Sequence, residues 1–303
     1  MIVVTGASGV LGKALVEVLT QSGETISTLA SVDVDLRDRD KAIDAIAALE
    51  PRKIFHLAAK VHGLGGNSAF QAEMFADNVR INMNVIDGAY QAGCEKFIGI
   101  STVAIYSSDA PKPVSEQSIW DGAPHNSERA YGQAKRAMLA QLEAYQAQYG
   151  FSFVYPIMTN IYGPHDRFDP VHGHVVPSLV AKFHAAATNG GHVDVWGTGR
   201  AERDFIYAGD AAQALIRAAD AGEGPINVAT GSTVPIRRIV EILAEHSGVA
   251  DVRWDSTKPD GQLERSYDVS KLADLGFKPS TSIEEGLRKT YDWYSTNFPC
   301  VRR

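Results

Sequence analysis

Eight residues near the amino terminus, TGASGVLG, limit more than any other feature what this chain can fold into. They follow a short apolar run, Ile2-Thr5, and lead into a helical pattern from Val10, so Gly6, Gly9 and Gly12 fall at three-residue spacing between a strand and a helix. A turn this tight needs glycine, because a Cβ would block either the turn or an approaching ligand. The N–H groups opening the helix can then hold a diphosphate.

Strand-like and helical runs continue to alternate. Thr25-Leu29, Lys53-Leu57 and Phe97-Ser101 read as strands, and Lys41-Leu49, Asn78-Ala92 and Ala130-Tyr149 as helices, before FSFVYPIM adds a further strand. The pattern predicts an α/β fold, a Rossmann-like doubly wound parallel sheet, over about the first 160 residues. Beyond Asn160, GPHDRFDPVHGHVVP is rich in Gly, Pro, His and Asp and reads as a loop opening a smaller second domain. Helical pattern returns at Asp210-Ala221, Pro235-Ser247 and Ile283-Tyr294.

Composition narrows the setting. The 303 residues carry a net charge of -7, which argues against broad nucleic-acid binding but leaves room for arginines that grip a small anion. Cys94 and Cys300 are far apart and suggest free thiols in a reducing compartment. MIVVTG has no basic leader, and no segment approaches the roughly 18 apolar residues of a membrane span, so a soluble, cytoplasmic protein is expected.

The second strand ends in Ser27-Thr28-Leu29-Ala30-Ser31, without the acid that NAD-selective sites place against the ribose. These hydroxyls leave room for a 2′-phosphate, although no arginine marks one and Asp33 falls late for the ribose. NADP is the leading expectation and NAD the alternative, with Asp35 and Leu36 bordering the adenine.

In RAYGQAKRAML, Tyr131 and Lys135 stand four apart and share a helix face. A charged lysine there is expected to lower the tyrosine's pKa and fit it for proton transfer. Tyr267 and Lys271 have the same spacing in a Pro/Gly-rich part and read as a chance match. Thr102, at the end of the strand that follows the glycine loop in order, completes a Thr-Tyr-Lys set, with Asn78 as a supporting group. His165, Asp166, Asp169, His172 and His174 match no compact zinc spacing, so no metal is expected.

Taken together, the glycine loop, the Thr-Tyr-Lys set, LAAKVHG, TNIYGPHDRF, HGHVVPSLVAKFH, VWGTGRAERDFIY and TKPDGQ resemble the extended short-chain dehydrogenase/reductase family over nearly the whole chain. Within it they are most similar to the GDP-L-fucose synthase branch, which reduces a 4-keto sugar with NADPH after inverting carbons 3 and 5. The resemblance implies a dinucleotide-binding domain of residues 1–162 and about 204–232. A discontinuous α/β substrate domain of about 163–203 and 233–303 would complete the chain, with helices of the first domain pairing two subunits.

It also implies roles. Gly6, Ser8, Gly9, Val10, Leu11, Gly12, Leu57, Ala58, Ala59 and Lys60 would line the cofactor. Thr102 would bond the sugar carbonyl, Tyr131 would protonate it, and Lys135 would hold the nicotinamide ribose. Lys182 and Arg203 would take the substrate's diphosphate and nucleotide, with Asn160, Trp196, Lys258 and Arg265 in the same pocket. His174 aligns with the family's epimerisation histidine, whereas Ala104 stands where the family has the cysteine base. The expectation is a 4-keto reductase of a nucleotide-linked, GDP-type sugar that leaves carbons 3 and 5 alone. A full epimerase/reductase, a related epimerase or dehydratase, and a non-catalytic cofactor-holding protein are the alternatives.

Overall fold

The computed structural model describes residues 1–61, 70–170, 173–258, 260 and 264–302. Its first half alternates strand and helix: β1 (Ile2–Thr5), α1 (Val10–Gln21), β2 (Ile26–Leu29), α2 (Arg39–Ala47), β3 (Lys53–His56) and α3 (Gln71–Gln91). Then come β4 (Lys96–Gly99), β5 (Ser101–Thr102), α4 (Arg129–Tyr149) and β6 (Phe153–Met158). The second half holds β7 (Asn160–Tyr162), α5 (Val175–Asn189), β8 (Val193–Trp196), β9 (Glu202–Arg203), β10 (Phe205–Tyr207), α6 (Ala208–Ala221) and β11 (Gly224–Val228). It closes with β12 (Val234–Pro235), α7 (Ile236–Ser247), β13 (Val252–Asp255), β14 (Glu264–Arg265), α8 (Ser270–Asp274) and α9 (Ile283–Asn297).

The main sheet runs β11-β6-β4-β3-β1-β2, all parallel, with β5 also on β6. Because the chain steps from β1 outward to β2 and then crosses to β3 on β1's other side, strand order reverses beside β1. In open sheets of this kind such a reversal marks where ligands bind, beyond the carboxyl ends of the strands. Parallel strands covered on both faces read as continuous apolar runs, and β1 and β6 are buried at every position. One face packs Ile46, Ile86, Met138 and Leu139 from α2, α3 and α4; the other packs Leu15 from α1 and Leu215 from α6.

A further core joins Phe168, Phe183, Ile239, Leu243, Leu287 and Tyr294, built from the chain after β7. Tyr267 and Leu272, assigned from sequence to the substrate domain, instead pack into the clusters on the main sheet.

Two of the longer helices differ from expectation. α5 was not foreseen behind the Gly/Pro/His-rich stretch, yet Val176, Leu179, Val180, Phe183 and Ala186 bury one face of it, and Pro177 sits in its first turn, where a missing N–H does no harm. α3 begins at Gln71, well before Asn78, because its buried face includes Asp77, Asn78, Asn82 and Asn84 among the apolar residues. Those polar side chains hide the helical period.

Candidate active site

Gly6 takes the left-handed conformation, φ 70°, and a Cβ on it would meet the Ala58 backbone nitrogen at 2.6 Å. A Cβ on Gly12 would strike the Gly6 carbonyl oxygen at 2.5 Å. The turn, the start of α1 and the segment after β3 are therefore in backbone contact, which no other residue type permits. Gly9 differs, since its Cβ would meet only the Gly6 oxygen at 3.6 Å, an ordinary contact. The protein's own packing does not demand glycine at position 9, but a ligand approaching the backbone would. Gly9 caps α1 with no side-chain bond, and the first turn carries no acid, so the helix start with Ser8, Val10 and Leu11 fits an anionic diphosphate.

Leu57, Ala58, Ala59 and Lys60 flank this loop and are pinned from below. The Thr5 hydroxyl accepts the Ala58 N–H at 3.1 Å and bonds His56 Nδ1 at 2.8 Å, while His56 Nε2 meets Asn82 at 3.0 Å. Burial, reinforced by Lys135, pushes His56 down to about 3, so it stays neutral. Asn78 accepts the Lys60 N–H at 3.0 Å and donates to the Lys60 carbonyl at 2.9 Å.

In the segment after β2, Asp35 is gripped by Arg37 through two bonds of 2.9 and 2.8 Å, which holds its carboxyl down at about 2. Arg37 and Lys60 both reach Asp77, at 3.4 and 2.8 Å. Arg37 is thus held between Asp35 and Asp77. Leu36 is buried under it, and its carbonyl accepts from Asn84. Asp33 turns back to accept the Ala30 N–H.

Three consecutive contacts clamp α4 onto the strand end carrying Thr102. Lys135 Nζ donates to the Ile100 carbonyl at 2.8 Å, and Arg136 Nε donates to the Ile105 carbonyl at 2.9 Å. Between them, Gly132 lies so close to the Ala104 carbonyl that a Cβ would be 2.5 Å from it. Tyr155 braces the joint from β6, its hydroxyl donating to the Lys135 carbonyl and accepting from Ser101, each at 2.7 Å. Thr102 and the half-buried Tyr131 are thereby carried on the two elements that this clamp joins. Lys135 Nζ lies 5.8 Å from the Tyr131 ring centre, and the Thr102 oxygen accepts the Ala104 N–H at 3.3 Å.

The expected fall in the tyrosine pKa is not what the surroundings produce. Burial, then the nearby Glu128 carboxylate, raises Tyr131 above the ordinary phenol, while burial lowers Lys135 to about 7. Desolvation disfavours the charged form of each group. At neutral pH Tyr131 keeps its proton and can donate it.

On the other wall, β9 and β14 pair in parallel with Arg203 opposite Arg265. Glu128, at the start of α4, holds Arg265 at 3.4 Å and so joins this wall to the Tyr131 side. Trp196 is 63% exposed with Lys258 Nζ 5.7 Å above its ring. Lys182 donates to the Asp194 carbonyl at 3.0 Å, and Asn160 to the Asp204 carbonyl at 2.9 Å, which ties β7 to the turn before β10. His174, exposed, caps α5 and lies near Asp166, whose buried carboxyl is pushed up to about 6.

The loop's other groups are separately engaged: His165 packs on Trp293 and Asp169 meets Arg167 at 3.5 Å. Among the described residues no cluster of three His, Cys, Asp or Glu side chains can hold a metal. His172 lies outside the described residues, as do His62 and Gly63 of LAAKVHG and Pro259, Gly261 and Gln262 of TKPDGQ.

Tyr106 is structural, its hydroxyl donating to Asn227 at 2.6 Å. Sequence reasoning missed Arg37, His56, Asp77, Asn82, Glu128 and Gly132. Of these, only Gly132, directly after Tyr131, carried a local signal.

Residues 2–229 match the model of the NAD dependent epimerase/dehydratase family. A probable GDP-L-fucose synthase 1 of Oryza sativa subsp. japonica is 37% identical, over 97% of this chain and 92% of its own length. A GDP-L-fucose synthetase from Naegleria fowleri, solved bound to NADP, shares 28% identity with a TM-score of 0.92, covering 100% of this chain and 96% of its own. A GDP-6-OMe-4-keto-L-xylo-heptose reductase from C. jejuni shares 25% identity with a TM-score of 0.90, covering 98% and 97%. By its glycine loop, its Thr-Tyr-Lys joint and these likenesses, the chain belongs to the NAD-dependent epimerase/dehydratase family of nucleotide-sugar enzymes.

Proposed function

We propose that this enzyme reduces the 4-keto group of a GDP-linked 4-keto-6-deoxy sugar with NADP as cofactor, without inverting carbons 3 and 5. One observation carries the distinction: Ala104, 3% exposed beside Gly132 of the catalytic helix, presents a methyl where the resemblance places a cysteine base. The ketone acidifies the carbons beside it, but removing a proton still requires a positioned base. A GDP-sugar and NADP are supported by the relatives' names, and the C. jejuni relative is named for reduction alone.

The residues divide the work. Gly6, Gly9 and the start of α1 would hold the cofactor's diphosphate, and Lys135 its nicotinamide ribose. When bound, the reduced nicotinamide supplies the hydrogen and electron pair that reduce carbon 4. Thr102 orients the carbonyl oxygen by a hydrogen bond, and Tyr131, protonated at neutral pH, gives that oxygen its proton. Arg203 and Arg265 hold the substrate's diphosphate.

Full epimerisation draws support from His174, retained beside Asp166. Acting from one side of the ring, however, one imidazole cannot both take a proton and return one to the opposite face. The reaction in deuterium oxide, read by NMR and mass spectrometry, decides between them. Reduction without enzyme-dependent label at carbons 3 and 5, with Ala104→Cys gaining exchange, is expected; label with an inverted centre refutes the proposal.

We also propose a homodimer through α3 and α4. Phe75, Met83, Tyr90 and Tyr149 leave large apolar surface exposed there, and Gln141 Oε1 is buried without a partner. Sedimentation should give twice the chain mass, and Met83→Glu should halve it; a monomeric wild type overturns this.

A further inference from the structure

Three polar side chains lie buried between the glycine loop and α4, and no step of the reaction above uses them. Thr5 and His56 are 0% exposed and Asn82 1%. Apolar residues would fill such a space at lower cost, because a buried polar group is tolerated only when its hydrogen bonds are made. Here the bonds fix one another's direction. Asn82 faces the Ala134 carbonyl at 3.5 Å, so it must present its Nδ2 there, which turns its Oδ1 to His56 Nε2 at 3.0 Å. Nε2 therefore carries the proton. Burial keeps the imidazole neutral, so Nδ1 is bare and accepts from the Thr5 hydroxyl at 2.8 Å. The Thr5 oxygen is left to accept the Ala58 N–H at 3.1 Å.

This chain has one end in each half of the site. Ala58 is the residue on which the glycine turn rests, since a Cβ on Gly6 would meet its nitrogen at 2.6 Å. Ala134, at the other end, directly precedes Lys135 on α4. His56 is tied to the lysine through its main chain as well: its carbonyl accepts the Ile100 N–H at 3.2 Å, and the Ile100 carbonyl accepts Lys135 Nζ at 2.8 Å. One buried residue thus meets the supports of both the glycine loop and the lysine.

We propose that His56 is a positioning residue for the reduction: through Thr5 and Asn82 it holds the Ala58 side of the cofactor seat and the Lys135 turn of α4 in one register, so that a disturbance at either end is felt at the other. A continuous buried chain suits this role, because breaking any link orphans the group beside it. The inference rests on the nucleotide-sugar reading above, which places NADP on the glycine loop and Lys135 at its nicotinamide ribose.

Thr5→Val and Asn82→Leu cut the chain at its two ends with little change of shape, and each should act on the far end. Asn82→Leu, on α3, should raise the Kd for NADPH about 5-fold by fluorescence titration. Thr5→Val, beside the glycine loop, should lower kcat at saturating NADPH and 4-keto sugar about 10-fold. His56→Leu, which removes the middle link, should do both, and Thr5→Ser, which keeps the hydroxyl, should restore kcat to the wild-type value. A packing role alone would lower the melting temperatures while leaving Kd and kcat of the folded proteins unchanged, and that result overturns the inference. The wild type supplies a test that does not depend on the variants folding. Nitrogen NMR of its histidine rings should show His56 as the neutral Nε2–H tautomer; an Nδ1–H tautomer overturns the chain. Should the wild type bind NADPH and reduce no nucleotide-linked 4-keto sugar, the nucleotide-sugar reading falls, and the NADPH Kd of Asn82→Leu then decides the positioning claim alone.

Discussion

Gly132→Ala separates what holds the protein together from what aligns its chemistry. The new Cβ would lie 2.5 Å from the Ala104 carbonyl oxygen and 3.0 and 3.1 Å from Pro124 side-chain atoms. Ordinary contact begins near 3.4 Å, so α4 and the turn after Thr102 must part by about 0.9 Å in a close-packed interior. The turn cannot swing away freely, because Lys135 and Arg136 hold the carbonyls of Ile100 and Ile105 on either side. Alanine gains up to about 1 kcal/mol of helix propensity, and overpacking costs about 1–3 kcal/mol. The melting temperature should then fall by no more than about 8 °C. Activity is more sensitive: moving Tyr131 by nearly 1 Å from the carbonyl it protonates should lower kcat about 10²-fold. Melting by circular dichroism and loss of NADPH absorbance at saturating substrate measure the two effects. A folded variant within about threefold of wild-type kcat would refute the claim that this glycine sets the Thr102–Tyr131 geometry.

Tyr131→Phe should cut turnover about 10²- to 10⁴-fold with cofactor affinity nearly unchanged, since it removes a proton donor and no cofactor contact; near-normal turnover would mean another group donates. Lys135 has a pKa of about 7 in the fold against an ordinary 10.5, so between those values the unfolded chain binds more protons, and this residue's contribution to stability rises with pH from about 7. Urea midpoints at pH 7 and 9 should show a rise in the wild type that Lys135→Met flattens, and equal rises would contradict the assignment.

What could be read from the sequence was what depends on neighbours along the chain. The strand, glycine turn and helix of residues 2–21 are local, as is the four-residue spacing of Tyr131 and Lys135, and both lie where the periodicity predicts. The pairing of Asp35 with Arg37 was equally local, only two residues apart, yet it depends on a loop conformation that composition does not reveal. Asp77 meets Lys60 from 17 residues away, His56 meets Thr5 across 51, and Arg265 meets Glu128 across 137. No spacing rule anticipates such contacts. The direction of the Tyr131 shift failed for the same reason: the spacing to the lysine is visible in sequence, whereas the desolvation that raises the phenol and lowers the lysine belongs to the assembled sheet and helices.

Reduction and inversion make unequal demands on this fold, so under the proposed reading one can be absent without the other. Thr102 is placed by backbone: its strand pairs with β6 at Met158, and the turn behind it is held through the carbonyls of Ile100, Ala104 and Ile105. None of these contacts uses the side chain of residue 104. An alanine there disturbs neither the strand nor the seat of α4, so Thr102, Tyr131 and Lys135 keep their arrangement. Inversion, by contrast, would hang on a single basic atom at that side chain. A buried methyl there supplies no such atom and leaves the backbone contacts of the clamp in place. The same logic makes Ala104→Cys the substitution able to restore proton exchange while the reducing machinery stays intact.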